Sequence, residues 1–206
     1  MFHEKGIFEY EATKRILEEG IKRYGLRANF HGDELHCNHS AELGYELRGG
    51  VDAISHLEEI SDKGIELLSR TEIAAVLLPT TPHILKLQPP PFKRMMESNC
   101  IVALGTDFNP NAHCLSMPYI MNLACNGLRF SMNESLVAAT INSAHALGQS
   151  ECYGSLEVGK YGDFIVVNHE DWRHLIYEMS NHPIKFVYKK GQRVVDNSSQ
   201  FVKAKL

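Results

Sequence analysis

A chain of 206 residues, 44% apolar and 22% charged, has globular composition and enough length to bury a core without disulfide staples. Its 21 basic and 25 acidic side chains leave a net charge of −4, which excludes a general polyanion binder because no cationic excess exists to neutralise phosphates. The longest apolar runs, such as 73–78 and 164–167, fall well short of the roughly 18 residues that span a bilayer. No basic stretch followed by an apolar one opens the chain, so no secretory leader is read. Cys37, Cys100, Cys114, Cys125 and Cys152 are widely spaced and contain no Cys-x-x-Cys pair. They read as reduced, structural thiols of a cytosolic protein, and with no basic stripe, phosphate motif or membrane span in the sequence neither a nucleic-acid nor a membrane partner is expected.

Residues 11–24 are expected to form a helix with Ala12, Ile16, Leu17 and Ile21 as its apolar stripe, stopped by Gly25. A short strand follows at 26–31. Residues 39–48 form a second helix, broken by Gly49-Gly50, and 51–55 a second strand. A short helix at 61–69 leads to a third strand at 72–78. Pro89-Pro90-Pro91 opens a further helix to about Ser98, since proline is tolerated in a first turn. Residues 101–105 are the fourth strand. Strands starting near 26, 51, 72 and 101, with helices between them, imply βαβ units and a parallel sheet. Residues 1–10, with Phe2, Ile7, Phe8 and Tyr10, are assigned no strand.

Residues 116–129 then carry Met117, Ile120, Met121, Ala124 and Leu128 on one helical face. Residues 132–147 read as one helix, entered through a Ser131/Glu134 capping box and stopped by Gly148. Beyond Gly154 the texture changes to a strand at 164–168 and a hairpin of 186–190 and 193–196 about Gly191-Gln192. The expected division is an α/β region at 1–152 and a small β element at 153–206. Four βα units cannot close an eight-fold barrel, which needs about 250 residues. Either the sheet is open or the chain is a piece of something longer, and the unexplained residues 1–10 favour the second.

Functional side chains in α/β proteins gather at the carboxyl ends of parallel strands. Those ends here are His31-Gly32-Asp33-Glu34-Leu35-His36, Ser55-His56-Leu57-Glu58-Glu59, Leu78-Pro79-Thr80-Thr81 and Thr106-Asp107-Phe108-Asn109-Pro110. His31 is either a metal ligand, as neutral imidazole at a rigid strand end, or a loop histidine held by hydrogen bonds. Asp107 is a ligand and proton acceptor or a turn cap. His56 read alone is a core histidine. Glu34 is an acid or base for the same cavity, or a surface carboxylate. Glu58-Glu59 read as a solvated helix start. Of the eleven histidines, His36, His39, His113, His145, His169, His174 and His182 read as surface or structural.

These segments, with Ala103-Leu104-Gly105 before Thr106 and the tail from Gly154 to Val167, occur in the order seen in imidazolonepropionases, and the chain resembles that family of the amidohydrolase superfamily. The resemblance implies a (β/α)₈ barrel with a small β domain, of which this chain holds the C-terminal half. It implies hydrolysis of 4-imidazolone-5-propanoate to N-formimidoyl-L-glutamate, a step of histidine degradation. One Zn or Fe ion is implied, with His31 and Asp107 as ligands after strands five and eight. Glu34 is then a catalytic carboxylate that also contacts the imidazolone ring, and His56, after strand six, stands near the attacking water. Asn109, Asn111 and Ala112 fall in the loop that touches substrate. A homodimer is also implied. The family's two further ligands form a His-x-His, which these 206 residues lack. Alone, the chain is expected to be inactive or marginal and poorly stable, with an open sheet edge. Other cyclic-amide hydrolases, deaminases and a non-catalytic fragment remain the alternatives.

Overall fold

The structure, a computed structural model, describes residues 1–181 and 183–201; His182 lies outside them. In chain order come β1 (Phe2–His3), α1 (Tyr10–Tyr24), β2 (Ala28–Gly32), α2 (Ser40–Glu46), β3 (Val51–His56), α3 (Asp62–Leu68) and β4 (Ala74–Leu77). Then follow α4 (Thr80–Leu85), α5 (Phe92–Glu97), β5 (Val102–Leu104), α6 (Met117–Gly127), α7 (Met132–Ala139) and α8 (Ile141–Ala146). The tail holds β6 (Phe164–Val167), α9 (His174–Tyr177), β7 (Ile184–Lys189) and β8 (Gln192–Asp196). No helix among the described residues is long and apolar enough to cross a membrane.

The first sheet is parallel, in the order β1-β2-β3-β4-β5. It therefore has five strands where the sequence reading gives four. The extra strand is made by Phe2 and His3, which pair with His31 and Gly32. A two-residue strand is too short to carry a periodic signal, which is why residues 1–10 looked unassigned. Strands β3, β4 and β5 are almost wholly buried, as expected of parallel strands covered on both faces. Phe30, Leu43, Ile54, Leu68, Leu77, Met95 and Ile120 form the centre of the main core.

The helix expected at 132–147 is two helices. The capping box is present, with Ser131 and Glu134 bonding each other's backbone N–H. The chain breaks at Thr140, whose φ of −123° and ψ of −92° leave the helical region. Past the break, Asn142 Nδ2 donates to Val102 O and Ser143 Oγ to Leu104 O. The break thus aims two polar side chains at carbonyls of β5, so this edge is covered and partly satisfied rather than open. Helix α4 went unread because Thr-Thr-Pro looks like a turn, yet Pro82 sits in its first turn, where its missing donor costs nothing.

The second sheet is antiparallel, in the order β6-β7-β8. Its hairpin turns one residue earlier than expected, at Lys190 and Gly191, which have φ of 50° and 75°. Two successive positive φ values suit the twist of a two-residue hairpin. The segment between β6 and β7 returns to the parallel sheet's side of the molecule. Ile176 is buried in the main core, and Asn122 Nδ2 donates to its carbonyl.

Candidate active site

The carboxyl ends of β2, β3 and β5 bring His31, His56 and Asp107 together. One ligand atom from each lies within 4.8 Å of the others. The closest pair is His31 Nδ1 and His56 Nε2, 2.8 Å apart. Adjacent parallel strands in register explain this meeting, since His31 pairs with Ser55 and Gly32 with His56. Phe2 packs on the His31 ring at 4.6 Å between centroids. Thr81 Oγ1, from the start of α4, donates to Asp107 Oδ2 at 2.7 Å and fixes the carboxylate.

The backbone at this rim is unusual. Asp33, His56, Leu57 and Asp107 have φ of 52°, 81°, 66° and 50°. Non-glycine residues are costly there, least so for Asp and most for bulky side chains. Such outliers persist where surrounding contacts over-determine them, and they cluster at functional sites. Here the tie is visible: Leu57 N–H donates to Gly32 O and Glu59 N–H to Asp33 O. The end of β3 is thereby folded back over the end of β2.

Burial sets the electrostatics. It pushes the His31 imidazole down to about 4, helped by His56 and opposed by Asp107. Burial also lowers His56, but the carboxylates of Glu58, Glu34 and Asp107 outweigh it and the net direction is up. Glu34 Oε2 lies 3.6 Å from His56 Nε2. Burial, with Glu58, Asp107 and Glu4 nearby, raises Glu34 despite His56. The donor set fits a divalent or trivalent metal ion. Imidazole nitrogen with carboxylate oxygen suits zinc or iron, and a ligating histidine must be neutral, the state that burial imposes on His31.

The loop after β5 is held from within. Asn109 spends its amide on its own loop, with Nδ2 donating to Asp107 O and Oδ1 accepting from the Asn111 and Ala112 N–H groups. Asn111 is exposed and Ala112 buried. Glu59 is exposed, but Glu58, read as solvated, is only 5% exposed. It faces His56 Nδ1 at 3.7 Å.

Two networks behind the rim escaped the sequence reading. Asp33, fully buried, accepts from Ser40 Oγ at 2.9 Å and from the Asn38 and Ser40 N–H groups. Ser40 Oγ also meets His3 Nδ1 at 2.8 Å. Gly32 permits this close approach, because a Cβ there would lie 2.3 Å from Ser40 Oγ. In front, Glu4 meets His36 Nδ1 and accepts from Asn38 Nδ2 and the Leu35 N–H. The available signal was Phe2-His3-Glu4, an apolar residue followed by two polar ones, which repeats the pattern of the other strand ends.

A second cluster lies beyond β6. His169 Nε2 and His174 Nδ1 sit 2.9 Å and 3.0 Å from the same Glu178 oxygen, with the rings stacked at 3.8 Å and 3°. A metal ligated by imidazole lies in the ring plane, and two parallel planes this far apart share no such point. This cluster is a hydrogen-bonded stack.

A family model described as the amidohydrolase family matches residues 1–194. The human protein named probable imidazolonepropionase is 53% identical over 196 residues, covering 94% of this chain and 45% of that protein. The protein of the same name from Dictyostelium discoideum is 55% identical, covering 97% and 46%. The chain thus spans slightly less than half the length of these relatives. Among solved structures, an adenosine deaminase from Xanthomonas campestris with bound zinc aligns with a TM-score of 0.77 at 19% identity, covering 91% of this chain and 49% of that one. Guanine deaminase from E. coli gives 0.75 at 18% identity, covering 92% and 52%. At that identity these two speak for the fold alone. With the model spanning nearly every described residue, the chain belongs to the amidohydrolase family.

Proposed function

We propose that this chain is the C-terminal part of an imidazolonepropionase, which hydrolyses 4-imidazolone-5-propanoate to N-formimidoyl-L-glutamate in histidine degradation. The observation that carries the reading is the convergence of His31, His56 and Asp107 at one strand rim, in a chain half identical to relatives of that name. In this reading β1 to β5 are strands four to eight of a (β/α)₈ barrel. Residues 1–152 belong to the barrel and 153–206 to the small β domain.

His31 and Asp107 would hold a zinc or iron ion, completed by ligands outside this chain. When bound, such an ion supplies Lewis-acid chemistry, lowering the pKa of a water and polarising a carbonyl. Asp107, held by Thr81, takes a proton from the attacking water and returns it to the ring nitrogen as the carbonyl C–N bond breaks. His56 Nε2 orients that water. Glu34, beside His56, accepts from the ring N–H. The loop at Asn109, Asn111 and Ala112 borders the substrate, with the Asn109 side chain shaping the loop from within. Without its other ligands the chain alone is inactive or marginal. The remaining parts of the reading are a cytosolic, homodimeric enzyme with no membrane or nucleic-acid partner.

The test is a chimera in which this chain replaces the matching half of the human relative. Ring opening of 4-imidazolone-5-propanoate, lost in Asp107→Ala, is the expected result. A folded chimera inert toward that substrate, or active only in deamination, would overturn the reading.

A further inference from the structure

We propose that Glu58 is the positioning residue of His56: its buried carboxylate accepts the Nδ1–H and so presents the Nε2 lone pair to the mouth formed by His31 and Asp107. The proposal rests on the reading above that this mouth is the reacting centre.

The Glu58 side chain has no exposure. Neither of its oxygens has a hydrogen-bond partner among the described residues, and neither has His56 Nδ1. Burying a carboxylate without partners costs several kcal/mol, so such a group calls for an explanation. The one it faces is the other orphan, His56 Nδ1, at 3.7 Å. A carboxylate only accepts, and a neutral imidazole donates from one nitrogen and accepts at the other. Closing the remaining gap, within a few tenths of an ångström to an ångström, satisfies both and settles the tautomer.

The backbone leaves Glu58 little alternative. Its neighbours Leu57 and Glu59 are tied through their N–H groups to Gly32 O and Asp33 O, so the side chain between them cannot swing out to water. The left-handed φ values at His56 and Leu57 belong to the same fold-back. On the far side of the ring, Nε2 stands 2.8 Å from His31 Nδ1 and 3.6 Å from Glu34 Oε2. With the proton fixed on Nδ1, Nε2 accepts from His31 in the bare chain and is free to orient water or face a cation. A carboxylate behind a histidine is the usual way a metal or water site fixes its imidazole.

The direct measurement is ¹⁵N NMR of the 206-residue chain with labelled histidine, at about pH 9, where imidazoles are neutral. His56 is assigned by its loss in His56→Gln. The expected result is an Nδ1–H tautomer in the parent, retained in Glu58→Gln, whose amide oxygen still accepts, and lost in Glu58→Leu. A parent His56 protonated on Nε2, or a tautomer unmoved in Glu58→Leu, overturns the proposal. A merely structural Glu58 would instead lower the melting temperature when replaced and leave the His56 tautomer where it was. In the chimera, Glu58→Leu should lower kcat by about 10- to 100-fold with KM little changed, and add no loss in a His56→Ala background. An inert parent chimera with the tautomer result intact would sink the hydrolase reading and leave the Glu58–His56 pairing standing; full additivity with His56→Ala would sink the pairing's role.

Discussion

Two regions of this molecule gather histidines and carboxylates. At the rim of the parallel sheet, His31, His56, Glu34, Glu58 and Asp107 are half-buried or buried at strand ends, His56 and Asp107 in left-handed backbone. Beyond β6, the same residue types assemble as His169, which is exposed, with His174 and Glu178, which are half-buried. The ion-pairing geometry of the second cluster is the better of the two, with both imidazoles within 3.0 Å of a carboxylate oxygen, whereas His56 stands 3.6 Å and 3.7 Å from its carboxylates. What separates the regions is satisfaction. The second cluster pairs one nitrogen of each imidazole with one Glu178 oxygen and leaves its remaining polar atoms open to water. The rim keeps lone pairs and orphaned oxygens out of water, an expense that folding alone gives no reason to carry.

The sharpest way to break this contrast is Asp107→Ala in the chimera. Loss of the water's proton acceptor should lower turnover by about a thousandfold or more, while Glu178→Ala leaves it unchanged. Comparable losses from the two would abolish the distinction.

Asp33 offers the next largest effect and carries a definite sign. Burial raises it to about 6, against 3.8 for the ordinary carboxyl, despite donation from Ser40 and Asn38. Between those pH values the folded chain binds more protons than the unfolded one, so this group's contribution falls as pH rises through the window and its cost is complete above about pH 6. Two pKa units correspond to about 3 kcal/mol. His31 tilts the opposite way, because its folded value of about 4 lies below the ordinary 6.5 and stability from it rises with pH. The two slopes partly cancel in the parent. Asp33→Asn should expose the His31 slope, giving a melting temperature that climbs more steeply from pH 4 to 6 in chelator. An unchanged slope would mean that Asp33 is not the buried charge described here.

Much of this was legible in the sequence because strand ends announce themselves. His31, His56 and Asp107 each close an apolar run, and a parallel sheet delivers such ends to one side. The strand at Phe2 and His3 was illegible because two residues have no period. Helix 132–147 looked continuous because its apolar pattern crosses Thr140 unbroken, and only the carbonyls of β5 explain the break. Glu58 misled for a different reason: two adjacent glutamates before Ile60-Ser61 look like a solvated helix start, and nothing local reveals that Leu57 and Glu59 are pinned to β2.

Cation binding distinguishes the clusters directly. In zinc titrations of the 206-residue chain, His31→Ala should weaken the tightest site by more than the roughly 10- to 100-fold that loss of a supporting contact costs, because a ligand itself is gone. His174→Ala should leave that site alone; the reverse pattern would transfer the metal centre to the second cluster. Gly32→Ala probes the support behind His31. Its Cβ would meet Ser40 Oγ at 2.3 Å and Ser40 Cβ at 2.4 Å, and Ser40, bonded to Asp33 and near His3, has no room to move. Overpacking of this kind costs about 1–3 kcal/mol, read as a lowered urea midpoint, and Ser40→Gly in the same chain should recover part of it.

The smallest effect belongs to Glu178. Its partners His169 and His174 have side chains 37% and 39% exposed, and exposed pairs are screened and entropically costly to hold. Glu178→Gln should therefore shift stability by less than about 1 kcal/mol at any pH between 5 and 8, even though it sits at the shortest imidazole–carboxylate distances of either cluster. Chemical denaturation at both ends of that range measures it. A shift as large as that from Asp33→Asn would show that contact distance, not burial, governs both clusters.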